Sequence, residues 1–206
     1  MPNNPTNFNI GSNNFSSQSF ITVVSGLPRS GTSMIMKMLS AGGLVIVTDN
    51  QRTADEDNPN GYYELERVKK LKDGDTKWLD QTQGKVIKVI SALLEYLPEN
   101  YSYKVIFMKR NMEEILASQQ KMLMRRGENP NRVDDQTLAK LFKKHLIKVE
   151  AWLAQQQNID VLYLNYNNII QDPVNNIIPT AHFLGGNLDY KKMLKIIDKD
   201  LYRQRK

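Results

Sequence analysis

The sequence predicts an α/β fold in which a mainly parallel central sheet carries helices on both faces. Short apolar segments alternate along the chain with segments of helical periodicity, which is the pattern of repeated βαβ units. The first apolar segment runs directly into a glycine-containing turn and a helix start. With 206 residues and 40% hydrophobic content, the chain is long enough for one sizeable core and short for two domains.

The predicted elements follow in βαβ order. Strands are predicted near residues 20–25, 44–47, 85–90, 104–109 and 160–165, and helices near 31–41, 62–72, 111–124 and 135–157. A further helix begins at Asp172-Pro173 and ends at Gly185-Gly186, because Pro suits a first helical turn and Gly a helix end. One face of the helix at 135–157 is expected to pack in the core and comprises Leu138, Leu141, Phe142, His145, Leu146, Val149, Trp152 and Leu153.

Three polar segments lie outside this pattern. Residues 1–19 are rich in Asn, Ser and Pro, so we expect a disordered or loosely attached arm in front of a single domain at 20–206. Segments 48–60 and 125–135 are too long for minimal turns and poor in apolar anchors. They are interpreted either as lids over a ligand site or as surface loops that never close.

The turn after the first strand has the features of a phosphate site. Backbone N–H groups in the first turn of a helix lack partners and point at an anion, and Gly26 and Gly31 have no Cβ to obstruct its approach. The spacing Gly26-x4-Gly31 matches the phosphate-loop pattern, but Thr32 stands where that pattern has a lysine. Ordinary ATP or GTP hydrolysis is therefore disfavoured, since that lysine reaches the β- and γ-phosphates. The alternative is a turn that binds nothing.

A second candidate anion site follows the strand at 104–109. Arg110 ends this strand and Ser118 lies eight residues later on the next helix. An arginine there presents its donors to a phosphate, and both sites face the crevice at the carboxyl ends of the strands. In the structural alternative, Arg110 pairs with Glu113 or Glu114, and Ser118 is a solvated helix residue.

Leu27-Pro28-Arg29-Ser30-Gly31-Thr32-Ser33 resembles the 5′-phosphosulfate loop of sulfotransferases, which use 3′-phosphoadenosine 5′-phosphosulfate (PAPS) as donor. Arg110 and Ser118 keep the spacing with which this family binds the 3′-phosphate. The resemblance implies a three-layer sandwich like that of P-loop-containing nucleotide hydrolases, PAPS as co-substrate, 3′-phosphoadenosine 5′-phosphate (PAP) as product, and no metal. The cofactor-binding residues it implies are Arg29, Ser30, Gly31, Thr32, Ser33, Arg110, Ser118 and Tyr166.

Two further stretches carry the resemblance more weakly. Tyr166 matches an adenine-side tyrosine that precedes two acids in the family, and Asn167 and Asn168 replace those acids here. The alternative is a strand tyrosine that fills the edge of the core. The stretch Asn58-Pro59-Asn60-Gly61-Tyr62-Tyr63-Glu64 resembles one in bacterial members that contributes an acid to the acceptor side.

Sulfuryl transfer moves an SO3 group in line between two oxygens, so positioning and charge stabilisation should dominate catalysis. Arg29 and Lys88 are the expected catalytic cations, and the resemblance puts Lys88 at the leaving oxygen. The histidine that cytosolic sulfotransferases use as general base is Ile90 in this chain.

The base must then come from another residue. His145 and His182 are expected to be structural. Glu64 is the leading candidate, since burial among Tyr62, Tyr63 and Trp78 would make it a better proton acceptor. Asp73 and Asp75 are the reserves, and the alternative for Glu64 is an exposed residue at a helix start.

Composition limits the remaining functions. The absence of cysteine excludes disulfides and thiolate metal sites and agrees with a cytoplasmic location. No apolar stretch is long enough to span a bilayer. The net charge of +6 suits an anionic nucleotide, and the basic clusters show no nucleic-acid-binding module. Most are expected on solvated helix faces, including Lys69 to Lys72, Arg125-Arg126 and Lys143-Lys144.

The resemblance to sulfotransferases implies a small-molecule, glycan or lipid acceptor as partner. The basic residues Arg203, Arg205 and Lys206 either add late contacts to the 3′-phosphate or are simply solvated. Two other functions stay open at this point. One is a module that binds phosphoadenosine nucleotides without turnover, and the other is a deviant P-loop kinase of a small metabolite.

Overall fold

The fold was established from a computed structural model, which describes residues 20–198 except 53, 56–57, 59–60 and 131. The predicted arm at 1–19 and the basic residues Arg203, Arg205 and Lys206 lie outside the described residues. None of the helices within this range is long and apolar enough to cross a membrane.

Four parallel strands form the central sheet: β1 (Ile21–Gly26), β2 (Val86–Lys88), β3 (Tyr103–Lys109) and β4 (Ile159–Asn165). Their spatial order is β2-β1-β3-β4, with Ile21 paired to Tyr103 and Tyr103 paired to Ile159. Because all strands run in one direction, their carboxyl ends meet at a single edge of the sheet.

The strand predicted near 44–47 is only an isolated parallel bridge between Ile46 and Val86. Two backbone hydrogen bonds join this segment to Val86. The Val86 N–H donates to the Val45 carbonyl at 2.9 Å, and the Val86 carbonyl accepts from the Val47 N–H at 2.9 Å. β2 is correspondingly short. It stops at Lys88, and Ile90 already precedes a 3-10 helix.

Six α-helices connect and flank the strands: α1 (Thr32–Ala41), α2 (Met112–Arg125), α3 (Asp135–Leu153), α4 (Tyr166–Gln171), α5 (Pro173–Phe183) and α6 (Tyr190–Leu194). Side chains of Asn111, Asp134 and Asp172 cap α2, α3 and α5. Three 3-10 helices span Glu66–Asp73, Lys77–Thr82 and Ser91–Tyr96, so the helix predicted near 62–72 is a 3-10 helix that starts later. The short helices α4 and α6 were not predicted.

Helices cover both faces of the sheet, which confirms the predicted three-layer α/β class. Ile21 and Val23 of β1 point to one face, where they pack with the 3-10 helices and with Val149 and Leu153 of α3. Val24 points to the other face, together with apolar residues of α1, α4, α5 and α6.

The amino-terminal half of α3 departs from the predicted core. Val149 and Leu153 are buried, but Leu141 is 55% exposed. Val149 and Leu153, near the carboxyl end of α3, pack in the core, whereas Asp135 at its start accepts from Gln120 Nε2 of α2 at 3.0 Å.

Candidate active site

A cavity of about 430 Å³ opens where the strands end. Gly26 closes β1, Lys88 closes β2, and Arg110 and Tyr166 directly follow β3 and β4; all four line this cavity. The chain direction of the sheet thus brings together residues that lie far apart in the sequence.

The turn between β1 and α1 is packed against its neighbours. A Cβ on Gly26 would lie 2.6 Å from the Met108 carbonyl oxygen and 2.7 Å from Ser30 Oγ, so only glycine fits there. Arg29 adopts a left-handed backbone with φ +67. The Ser30 hydroxyl donates to the Leu27 carbonyl at 2.7 Å and is fully buried, so this side chain braces the turn and does not line the cavity.

Gly31, Tyr166 and Arg110 form a stack at one end of the cavity. Gly31 has φ +99, and a Cβ at this position would lie 2.5 Å from Tyr166 Cδ2. The Arg110 guanidinium carbon lies 4.3 Å from the centre of the Tyr166 ring. Tyr166 begins α4 directly after β4, and it packs in the core, as in the structural alternative, while also lining the cavity.

The two predicted anion sites are in direct contact. Arg110 Nη1 donates to the Arg29 carbonyl at 3.1 Å, and Arg29 Nε donates to Ser118 Oγ at 2.9 Å. Arg110 Nε also donates to Glu114 Oε2 at 2.8 Å, which is the pairing expected under the structural alternative. Arg110 thus pairs with Glu114 and lines the cavity at the same time.

Lys88 joins the turn between β1 and α1 (Gly26 to Ser33, the predicted phosphate turn) to the opposite wall of the cavity. Its Nζ donates to the Tyr62 carbonyl at 2.8 Å and to Ser33 Oγ at 3.2 Å. Ser33 Oγ also accepts from Asn58 Nδ2 at 2.7 Å. Burial lowers the pKa of Lys88 from 10.5 to about 8, since the charged form loses water; nearby Glu64 opposes this shift, and the positive charges of Arg52 and Arg29 add to it.

Tyr62 organises the other end of the cavity. Its hydroxyl donates to the Asp55 carboxylate at 2.7 to 2.8 Å, and the Arg52 guanidinium carbon lies 3.3 Å from the centre of its ring. Arg126 also lines the cavity, and its positive charge tends to lower the pKa of Tyr62. Burial, followed by the Asp55 carboxylate, raises the pKa of the Tyr62 hydroxyl, so it stays protonated at neutral pH.

Glu64 lines the cavity, but the structure corrects its predicted surroundings. Its side chain is 37% exposed and Oε1 lies 3.5 Å from Arg52 Nη1. Trp78 does not enclose it, because the indole packs in the core and donates to the Asp75 carbonyl at 2.9 Å.

The reserve acids and the two histidines lie away from the cavity. Asp75 pairs with Arg67 at 2.9 Å, and neither Asp73 nor Asp75 lines the cavity wall. His145 Nε2 lies 2.8 Å from Ser91 Oγ, and partial burial lowers the pKa of this imidazole. His182 lies in the last turn of α5.

Sequence reasoning missed several cations of the site. Arg125 and Arg126 line the cavity together with Lys121 and Met122, whereas the sequence pattern predicts Arg125-Arg126 on a solvated helix face. These four residues are spaced from Ser118 as residues on one face of a helix are, so their position on the same side as Ser118 could have been predicted from the sequence. Arg52 carries no comparable signal, since it comes from an irregular segment.

Comparisons with known proteins agree with this architecture. The sulfotransferase domain family matches residues 21–206. A solved sulfotransferase domain from the curacin biosynthetic pathway is 15% identical, with a TM-score of 0.53 over 88% of this chain and 79% of that chain. A mouse sulfotransferase complexed with PAP is 19% identical, with a TM-score of 0.50 over 87% of this chain and 62% of that chain.

At these identities the solved structures show the likeness of the fold alone. No curated protein sequence matches the chain. The family match covers nearly all of the residues that build the sheet and the cavity, and it confirms the resemblance seen in the phosphate turn. The chain belongs to the sulfotransferase domain family.

Proposed function

We propose that this chain transfers a sulfuryl group from PAPS to a hydroxyl or amine of an acceptor molecule. One observation carries the proposal: the phosphate turn and Arg110 share one cavity and touch each other, at 3.1 Å between Arg110 Nη1 and the Arg29 carbonyl. A nucleotide phosphorylated at both its 5′ and its 3′ positions needs two such cationic subsites close together.

The residues present fit such a donor. The absence of a Cβ at Gly31 lets the Tyr166 ring lie against the turn, and the start of α1 supplies N–H groups for the 5′ side. Arg110 and Ser118 would hold the 3′-phosphate, and the Tyr166 ring would lie on the adenine side. The mouse sulfotransferase of similar fold is complexed with PAP, which is consistent with this donor.

The chain's own residues can then support the chemistry. PAPS supplies the SO3 group, which leaves a phosphate oxygen and forms a new bond to the acceptor oxygen or nitrogen. Lys88, with its pKa near 8, is mostly protonated at neutral pH and places a positive charge beside Ser33, where the leaving oxygen gains negative charge. Arg29 adds a second cation at the turn. Glu64 lines the same cavity and would accept the proton that the acceptor loses.

Ligand binding tests the donor. PAP should raise the melting temperature of the protein well above the effect of ATP with magnesium, because only PAP offers a 3′-phosphate to Arg110. The Arg110→Ala variant should lose most of this shift. Arg67→Ala is the matched control, since Arg67 is an exposed arginine that pairs with Asp75 away from the cavity.

Two outcomes would contradict the proposal. Equal or larger stabilisation by ATP with magnesium would favour the kinase. Strong PAP binding without transfer of labelled sulfate from PAPS into any component of a cell extract would favour the non-catalytic binding module.

A further inference from the structure

Glu114 is a buried carboxylate whose two oxygens are both engaged. The side chain is 1% exposed in the first turn of α2. Its Oε2 accepts from Arg110 Nε at 2.8 Å, and its Oε1 accepts from Asn167 Nδ2 at 2.7 Å. A buried charge of this kind is unfavourable unless it is paired and hydrogen-bonded, and here it is both.

The Arg110 guanidinium is constrained on three sides. Glu114 takes its Nε, the Arg29 carbonyl takes Nη1, and the Tyr166 ring covers one face at 4.3 Å. The arginine side chain is only 8% exposed, yet it lines the cavity. These contacts leave the guanidinium little freedom to rotate, so it is oriented before any ligand arrives.

Two effects of Glu114 on an incoming phosphate oppose each other. Its negative charge weakens the attraction between Arg110 and the phosphate, whereas its hydrogen bond fixes the orientation of the guanidinium. A long arginine side chain loses much rotational freedom when it binds, and orientation in advance removes that cost. Since Glu114 bonds Arg110 Nε and does not itself line the cavity, whereas Arg110 does, we expect the orienting effect to dominate.

We propose that Glu114, held by Asn167, is a positioning residue that aims Arg110 at the 3′-phosphate and thereby sets the preference for nucleotides that carry this group. The proposal rests on the proposed function, because it takes PAPS as the donor. Glu114 acts without touching the nucleotide.

The test compares two ligands that differ only in the 3′-phosphate. PAP and adenosine 5′-phosphate are titrated into each variant by calorimetry, and the ratio of their dissociation constants is measured. Glu114→Leu removes both carboxylate oxygens and should weaken PAP binding by about tenfold while adenosine 5′-phosphate binding stays nearly constant. Glu114→Gln retains an acceptor oxygen for Arg110 Nε and should keep most of the preference.

A second variant leaves the buried carboxylate of Glu114 in place. Asn167→Ala removes the donor to Glu114 Oε1 and should reduce the PAP preference in the same direction as Glu114→Leu, by a smaller factor. Asn168→Ala is its matched control, because Asn168 is the adjacent, exposed asparagine of the same helix and does not line the cavity. Asn167→Ala therefore keeps the test decisive even if Glu114→Leu does not fold.

The outcomes separate this proposal from the proposed function. If the wild-type protein does not prefer PAP over adenosine 5′-phosphate, the donor assignment itself is wrong. If the wild type prefers PAP and Asn167→Ala preserves that preference, or weakens both ligands equally, Glu114 has only a structural role and the positioning proposal is overturned.

Discussion

The two ends of the cavity are built differently. At the end where donor binding is proposed, named the donor end below, Gly31, Tyr166, Arg110 and Glu114 are packed against one another, and the Arg110 side chain is 8% exposed. At the opposite end, where the acceptor is proposed to bind and which is named the acceptor end below, Arg52 and Glu64 form a 3.5 Å ion pair with side chains 38% and 37% exposed.

This difference separates contacts that tolerate few substitutions from contacts that can be exchanged at small cost. A buried, mutually bonded network tolerates few changes, whereas exposed ion pairs contribute little to stability and can be exchanged. We therefore expect donor binding to depend on the packed end, and turnover and acceptor choice to depend on the open end.

The largest effect is expected for a substitution of Glu64, which should change turnover but not donor binding. Glu64→Gln should lower turnover by about 10² to 10⁴ if this carboxylate is the general base, and PAP affinity should not change because Glu64 lies at the acceptor end. Transfer of labelled sulfate from PAPS into a cell extract measures the first quantity and calorimetry the second. Glu66→Gln, an exposed glutamate paired with Lys69, is the control. Full turnover in Glu64→Gln would remove this residue from the mechanism.

Lys88 lies between the ends and should affect catalysis more than binding. Lys88→Met should reduce turnover by about 10² to 10³, the usual loss when a donor to a developing negative charge is removed. Lys85→Met, just before the same strand and outside the cavity, should be nearly silent. Similar losses in both variants would indicate a fold defect.

The lowered pKa of Lys88 also predicts a pH dependence. An ammonium group with a pKa of about 8 loses its proton as the pH rises through 8, so turnover that needs the charge should fall above that pH. Lys88→Arg should move this fall to higher pH, because arginine stays protonated. Turnover measured as a function of pH on both sides of pH 8 tests this expectation. The same pH dependence in Lys88→Arg as in the wild type would argue against a role for the Lys88 charge.

Gly31→Ala tests the packed end directly. The new Cβ would meet the Tyr166 ring at 2.5 Å, so the ring must move, and PAP affinity should fall by about tenfold or more. Gly43→Ala is the matched control, since Gly43 has a similar φ of +106 but a Cβ there would have nothing within 4 Å. Both variants share the backbone strain; only Gly31→Ala should lose PAP binding in the calorimeter.

The smallest expected effect lies at the open end. Arg52→Gln should lower the free energy of unfolding by about 1 kcal/mol at most, because the ion pair to Glu64 is long and exposed and the contact of the partly exposed Arg52 with the Tyr62 ring contributes little more. Chemical denaturation measures this value. A loss of several kcal/mol would mean that the acceptor end is as tightly integrated as the donor end, and the contrast between the two ends would fail.

The meeting of the turn after β1 with Arg110 and Ser118 at one cavity could be predicted because the signal for each is local in the sequence. The turn from Gly26 to Ser33 and the pair Arg110 and Ser118 each lie on one short segment whose spacing carries the signal. The parallel α/β class could be predicted from the alternation of strand and helix patterns along the sequence. These predictions needed no knowledge of tertiary contacts.

The acceptor end was predicted less well because its contacts are tertiary. Arg52 reaches Tyr62 from an irregular segment, and Trp78 turns into the core instead of covering Glu64. The prediction of a strand at 44–47 was wrong for a related reason, because this segment forms only a single bridge to the short strand β2.

The pairing pattern of β1 has a consequence for how the chain folds. β1 lies inside the sheet between β2 and β3, and Ile21 meets Tyr103 only after a long intervening stretch. Closing such long loops is slow compared with forming local helices. The turn that follows β1 therefore cannot reach its final shape early, since Met108 and Tyr166, which pack against its glycines, come from much later in the chain. The nucleotide binding proposed for this turn should be among the last properties that a refolding molecule regains.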